Sequence, residues 1–149
     1  MDVHASLDAE CDADRLFSFL HDLAQYPSWM DLTHRVQPEA GASPAAWQVE
    51  LRARVGPLAR SKRLRMERTV HQPEAHIVVF ERAESDGKRH SHWVLRAEVT
   101  QHGEHSHLEM HLHYGGALWT GGVLERVLSD QITNGSDRLQ ALVSQSPTR

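Results

Sequence analysis

The chain has 149 residues, 40% apolar and 24% charged, the size and composition of one soluble globular domain spanning residues 1–149. A net charge of −4 argues against nucleic acid as a partner, and no apolar run is long enough for a membrane span. The single cysteine, Cys11, excludes an internal disulfide and fits a reducing compartment; with an acidic N-terminus that lacks a secretory apolar stretch, a cytoplasmic location is expected.

In chain order, Val3, Ala5, Leu7 and Ala9 alternate with polar residues and predict a first strand. Asp12 reads as the N-cap of a helix whose apolar face is Leu16, Phe19, Leu20 and Leu23. Pro27 ends or kinks this region, so Tyr26-Pro27-Ser28-Trp29 forms a corner. A short strand is expected over 33–36 and a loop at Gly41-Ala42-Ser43-Pro44. Trp47, Val49, Leu51, Ala53 and Val55 alternate with Gln48, Glu50, Arg52 and Arg54, a strand with one buried face. Gly56-Pro57 turns the chain into a basic strand over 60–70. Leu64, Met66 and Val70 share one face of it, Arg63, Arg65 and Glu67 the other, and Arg68 falls on the apolar side.

Two dipeptides set the register of the next three strands. Asp86-Gly87 lies between the runs 76–84 and 89–99, and His102-Gly103 between 89–100 and 105–114; each reads as a two-residue turn that needs φ > 0. Counting outward places Phe80, Trp93 and Leu112 on one inner row, and Val78, Leu95 and Met110 on the next. The matching outer rows are Glu81–His92–His113, Val79–Val94–His111 and Ile77–Arg96–Glu109, with Glu98 facing His107. His76 and Arg82 also point inward, as does Tyr114. Gly115 and Gly116 break the last strand. From about 121 to 144 the period becomes helical, with Leu124, Leu128, Ile132, Leu139 and Leu142 on a stripe beside Val127 and Val143, and Asn134-Gly135 interrupting it.

This order of elements, together with Tyr26-Pro27-Ser28-Trp29, Val55-Gly56-Pro57-Leu58 and the C-terminal amphipathic helix, resembles the START-like (SRPBCC, helix-grip) superfamily, in its polyketide cyclase/dehydrase and lipid-transport branch. The resemblance implies an α+β fold: a curved seven-stranded antiparallel sheet wrapped around the long C-terminal helix, with two short helices after the first strand and a cavity between sheet and helix. It carries no catalytic set onto particular residues, because the superfamily has no shared catalytic motif.

The inward face is apolar and bulky, as ligand sites are, with a few polar groups among the apolar ones. The candidate ligand-binding residues are Tyr26, Trp29, Arg68, His76, Phe80, Trp93, Met110, Leu112, Tyr114 and Gly135. The aromatics serve equally as core. Arg68 and His76, expected near each other, need partners if buried. Gly135, on the helix's buried stripe, either leaves room for a ligand or marks a kink or tight contact with the sheet.

The chain holds 12 histidines, most of them between 71 and 113. His111 and His113 are two apart on one face, a spacing that chelates zinc or copper; Glu81 and His92 would complete a site. The simpler reading is a solvated face stabilised by cross-strand charge pairs, with no metal. On that reading, charging His92, His111 and His113 together at low pH costs stability. Val79 and Val94 beside them leave a homodimer patch open. No cofactor motif is present: there is no phosphate-cradling glycine loop and no nucleophile elbow. The leading expectation is binding of a small hydrophobic or amphipathic molecule. The alternatives are a polyketide cyclase or dehydratase, in which His76, Arg68 or Tyr114 would move protons, and an interaction or stress-response module with a vestigial cavity.

Overall fold

The computed structural model describes residues 2–55, 57–115 and 123–145, without the side chains of residues 55, 123–125, 127–129 and 132. Seven strands form one curled antiparallel sheet: β1 (Asp2–Ala9), β2 (Thr33–Pro38), β3 (Ala46–Val55), β4 (Leu58–Gln72), β5 (Ile77–Arg82), β6 (Trp93–His102) and β7 (His105–Tyr114), in the order β1-β7-β6-β5-β4-β3-β2. A short helix α1 (Ala13–Phe17) and a 3₁₀ turn (Leu23–Ser28) lie between β1 and β2, and α2 (Val123–Ser144) follows the sheet. This is the helix-grip α+β fold.

Local chemistry fixes the short elements. Asp12 caps α1, its Oδ1 accepting from the Arg15 amide at 2.9 Å, and Asp22 caps the 3₁₀ turn through the Ala24 amide at 2.9 Å. The run read as one apolar face through Leu23 is two short elements, as the resemblance implies; Leu16, Leu20 and Leu23 reach the core, and Phe17 is buried where Phe19, only partly buried, was expected. Arg15 reaches across to the C-terminal end of α2. Its guanidinium donates to the carbonyls of Val143 (2.8 Å), Leu142 (3.1 Å) and Gln145 (2.6 Å), groups that a helix end leaves without partners. Further along, Gln140 donates to Asp8 O at 2.8 Å, Gln131 Oε1 accepts from the Leu32 amide at 2.7 Å, and Arg138 pairs with Asp31. The helix is continuous through Asn134-Gly135, where an interruption was expected. Leu139 and Val143 are buried, whereas the side chains of Leu124, Val127, Leu128 and Ile132, like Gly56 and Gly116, lie outside the described residues.

The meander keeps the expected faces but not the expected rows. β6 pairs with β7 as Trp93↔Tyr114, Leu95↔Leu112 and Ala97↔Met110, so the turn is Gly103-Glu104 rather than His102-Gly103. Gly103 has φ +61°, and no positive φ falls at Glu104; glycine takes the first central position, as a type II′ turn requires. β5 and β6 stop at Arg82 and Trp93, and Asp86-Gly87 sits inside the loop 83–92, where Asp86 Oδ1 accepts from the Lys88 amide at 2.9 Å. Phe80 therefore pairs with Leu95 and Val78 with Ala97. The β6–β7 turn moves by one residue and the β5–β6 turn is replaced by a loop; both pairings shift by two, which preserves the faces. Trp93, Phe80 and Val78 are buried as the inner face demands. The outer rows become Glu81–Val94–His113, Val79–Arg96–His111 and Ile77–Glu98–Glu109; His92 lies in the loop and Thr100 faces His107. A bulge between Arg68 and Val70 corrects one more expectation: Val70 pairs with Val79 on the outer face, and His71 takes the inward register opposite Val78.

Candidate functional site

Between the concave face and the corner lies an apolar hollow of about 90 Å³. β6 and β7 contribute Trp93, Leu95, Met110 and Leu112, and β3 and β4 contribute Val49, Leu51, Leu64 and Met66. β1 adds Val3 and Ala5. The corner segment closes one side with Leu23, Tyr26, Met30, Leu32 and Thr33, and α2 supplies Gln131. None of these described lining residues is charged. Three polar side chains are committed to the fold: Tyr26 donates its hydroxyl to Leu20 O at 2.9 Å, Thr33 donates to Met30 O at 2.6 Å, and Gln131 Oε1 accepts from the Leu32 amide; the buried Trp93 Nε1 has no hydrogen-bond partner among the described residues. Burial pushes the Tyr26 hydroxyl pKa far above its usual value, so it stays protonated.

Tyr26, Trp93, Met110 and Leu112 thus line the hollow, and six other sequence candidates do not. Trp29 is buried, its ring tilted against that of Tyr26 with centroids 4.8 Å apart, and donates Nε1 to Phe19 O at 3.2 Å. Phe80 is fully buried between Tyr26 and Trp47, edge-on to both. Tyr114 stacks on Trp93 at 5.3 Å. Gly135 packs against the corner and not the sheet: a Cβ there would come within 2.9 Å of Trp29 O and 3.3 Å of the Trp29 ring. Its missing side chain admits the Trp29 backbone.

Arg68 and His76 stand at the opposite end of the concave face, around α1. Arg68 Nη1 donates to His21 O at 2.7 Å, and its guanidinium sits 5.6 Å from the centre of the Trp47 ring. His76, at φ +55° just ahead of β5, turns toward α1; its Nε2 is 2.6 Å from Asp14 Oδ1 and its ring meets Phe17 edge-on. Between them lies a stack of Phe17, His21 and His71, with the two imidazoles 5.3 Å apart and nearly parallel. Burial, then Arg68, lowers the pKa of both His21 and His71. Arg82, a further inward cation, is held by Glu84 (2.9 Å), Ser91 and His90.

The outer histidines have acidic partners from β1, a strand that the meander's register did not include. Asp2 Oδ1 lies 2.7 Å from His111 Nε2 and 3.0 Å from His113 Nδ1; His107 lies 2.7 Å from Asp8 and 2.6 Å from Glu109. These hydrogen bonds lower the Asp2 pKa and raise that of His107. Among the described residues no three His, Cys, Asp or Glu side chains are arranged to hold a metal ion.

Sequence reasoning missed the contributions of β1 and of Leu23, Met30, Leu32, Thr33 and Gln131. Val3 and Ala5 had a signal in their alternation, but only the closure of β1 onto β7 (Val3↔Leu112, Ala5↔Met110) brings them to the hollow.

A sheet curled around one long helix over an uncharged hollow defines a START-like protein. Residues 1–144 match the family described as polyketide cyclase/dehydrase and lipid transport, and the chain belongs to that family. Solved structures share the fold at low identity. The Zhui aromatase/cyclase from Streptomyces sp. R1128 is 15% identical with a TM-score of 0.68, over 96% of this chain and 93% of that one. The major latex-like protein 151 of Panax ginseng is 11% identical with a TM-score of 0.71, over 97% and 98%. A START superfamily protein from Mycobacterium smegmatis is 13% identical with a TM-score of 0.69, over 97% of each chain. No curated protein matches the chain in sequence.

Proposed function

We propose that the protein is a single cytoplasmic binding domain for a small hydrophobic or amphipathic molecule, such as a lipid, a polyketide or an aromatic metabolite, held in the hollow between the sheet and the corner. The observation that carries this reading is the lining: among the described residues it offers apolar surface and no free titratable group. Acid–base catalysis needs a group within hydrogen-bonding reach of a substrate atom, and the one titratable lining group, Tyr26, is spent on Leu20 O. The volume favours an adaptable site. At about 90 Å³ the hollow is smaller than the roughly 150 Å³ apolar cavity that takes up benzene, so a larger ligand enters as side chains swing aside. Met30, Met66 and Met110 are suited to that, being unbranched and polarizable.

The test is a titration with the apolar fluorophore N-phenyl-1-naphthylamine. Saturable enhancement is expected, with affinity reduced about tenfold in Ala5→Leu, which fills the hollow, and unchanged in Val79→Leu on the outer face. Equal affinities in the two variants, or no saturable binding, would contradict the reading.

A further inference from the structure

The strands β3 and β4 outrun their neighbours. β2 follows β3 only as far as Leu51, with Arg52 N bonding Leu32 O, and β5 meets β4 only from Met66, with one more bond from Ala83 N to Arg65 O. Residues 53–55 and 58–60 therefore pair only with each other and project as a two-stranded arm, and residues 61–63 of β4 pair with β3 but not with β5. Its composition is unlike that of the rest of the chain. From Leu51 to Met66 lie Arg52, Arg54, Arg60, Lys62, Arg63 and Arg65, with no Asp or Glu, although the whole chain carries −4. Arg65 is bound to Glu39 and Glu67, but Arg52, Arg54, Arg60 and Arg63 are exposed and have no ion-pair partner among the described residues. At the tip, next to Pro57 and Ala59, Leu58 is 57% exposed, the one large hydrophobic residue so placed among those described.

We propose that this arm docks on an anionic membrane surface, with Leu58 entering the acyl boundary and the arginines engaging lipid headgroups. Two features favour a lipid surface over an acidic protein. The cations occupy both faces of the ribbon: Arg52 and Arg54 lie on the outer face, whereas Arg60 and Lys62, opposite Ala53 and Leu51, lie on the inner one. A protein partner covers one face, while a headgroup layer surrounds both. The apolar residue also leads the charges, the arrangement in which an interfacial segment buries apolar surface below the headgroups while cations attract anionic lipid. Guarding a projecting arm against edge pairing would account for charge there, but such protection is not served by an exposed leucine. The inner face of the arm continues into Leu51 and Leu64, which line the hollow, so docking would place the hollow's rim toward the bilayer.

The experiment is flotation of the full chain with vesicles of phosphatidylcholine alone and of phosphatidylcholine with phosphatidylserine, at low and high salt. Binding is expected only to the phosphatidylserine vesicles, weakening with salt. Neutralising one arginine should cost about fivefold, and Arg52→Gln with Arg54→Gln about 25-fold. Leu58→Ser should cost several-fold at unchanged charge, and Arg96→Gln on the outer face of β6 should change nothing. No binding to anionic vesicles overturns the proposal, as does binding that ignores the arm variants. Loss with the arginine pair but not with Leu58→Ser overturns insertion of the tip and leaves the purely polar contact an acidic protein would make.

Discussion

The two ends of the concave face are built on the same strands and come out differently. Toward the Tyr26 corner, the inward positions carry leucine, methionine and alanine, and a hollow remains. Toward α1, the bulge at Arg68–Val70 turns His71 inward, and Phe17, His21 and Arg68 fill the space beside it. Arg68 and His76, candidate ligand anchors in the sequence, bond His21 O and Asp14 at the α1 end, and the described residues that line the hollow carry no charge.

Substitutions can separate the ends. Phe17→Ala should cost about 3–5 kcal/mol in denaturant unfolding, because a buried ring at the centre of the filled end is lost. Its apolar-probe affinity should stay unchanged, the reverse of Ala5→Leu. A Phe17→Ala variant that folds but loses probe binding would dissolve the distinction. Gly135→Ala should destabilise by about 1–3 kcal/mol, as overpacking does, despite the roughly 1 kcal/mol that alanine gains over glycine in a helix, because the new Cβ meets the fixed Trp29 carbonyl. A gain in thermal midpoint would show that α2 yields there. Tyr26→Phe should cost about 1 kcal/mol by removing the hydrogen bond to Leu20 O, with little effect on probe binding. Stronger probe binding in that variant would mean the hydroxyl restricts the hollow.

The smallest effects should appear in the pH dependence of stability. His21 and His71 have folded pKa values below the ordinary His value of about 6.5, so the unfolded chain binds protons first and stability falls as pH drops below that value. Asp22 and Glu74 oppose this shift and Arg68 reinforces it. His107 is shifted upward by Glu109 and Asp8, so its contribution is full below about 6.5 and is lost as pH rises through the folded value. In thermal unfolding across this range, His71→Gln should flatten the acid side and His107→Gln the neutral-to-alkaline side. The same change in both variants would mean the clusters are not electrostatically distinct.

Much of the fold was legible because period-2 alternation and the change to helical period are properties of short windows. Faces survived the register error because both pairings shifted by two residues, as with Trp93, which remains inside. The rows were not legible, since a glycine at position 103 serves either central position of a two-residue turn. The Arg68–Val70 bulge left no mark in the alternation of Leu64, Met66 and Val70, and so His71 went unnoticed. At the site, four candidates line the hollow, while the contributions of β1 and the corner depend on closure across the whole chain. The acidic partners of His107, His111 and His113 come from β1 for the same reason.

Of the four methionines in the chain, Met30, Met66 and Met110 all line the hollow. Methyl NMR of the ¹³C-methionine-labelled protein, recorded while N-phenyl-1-naphthylamine is added, therefore reports on the hollow directly. All three methyls are expected to shift saturably along one binding curve, with the methyls of Val70 and Val79 on the outer face unmoved in a valine-labelled sample. Shifts confined to those outer valines, with the methionine methyls unchanged at saturation, would contradict binding in the hollow.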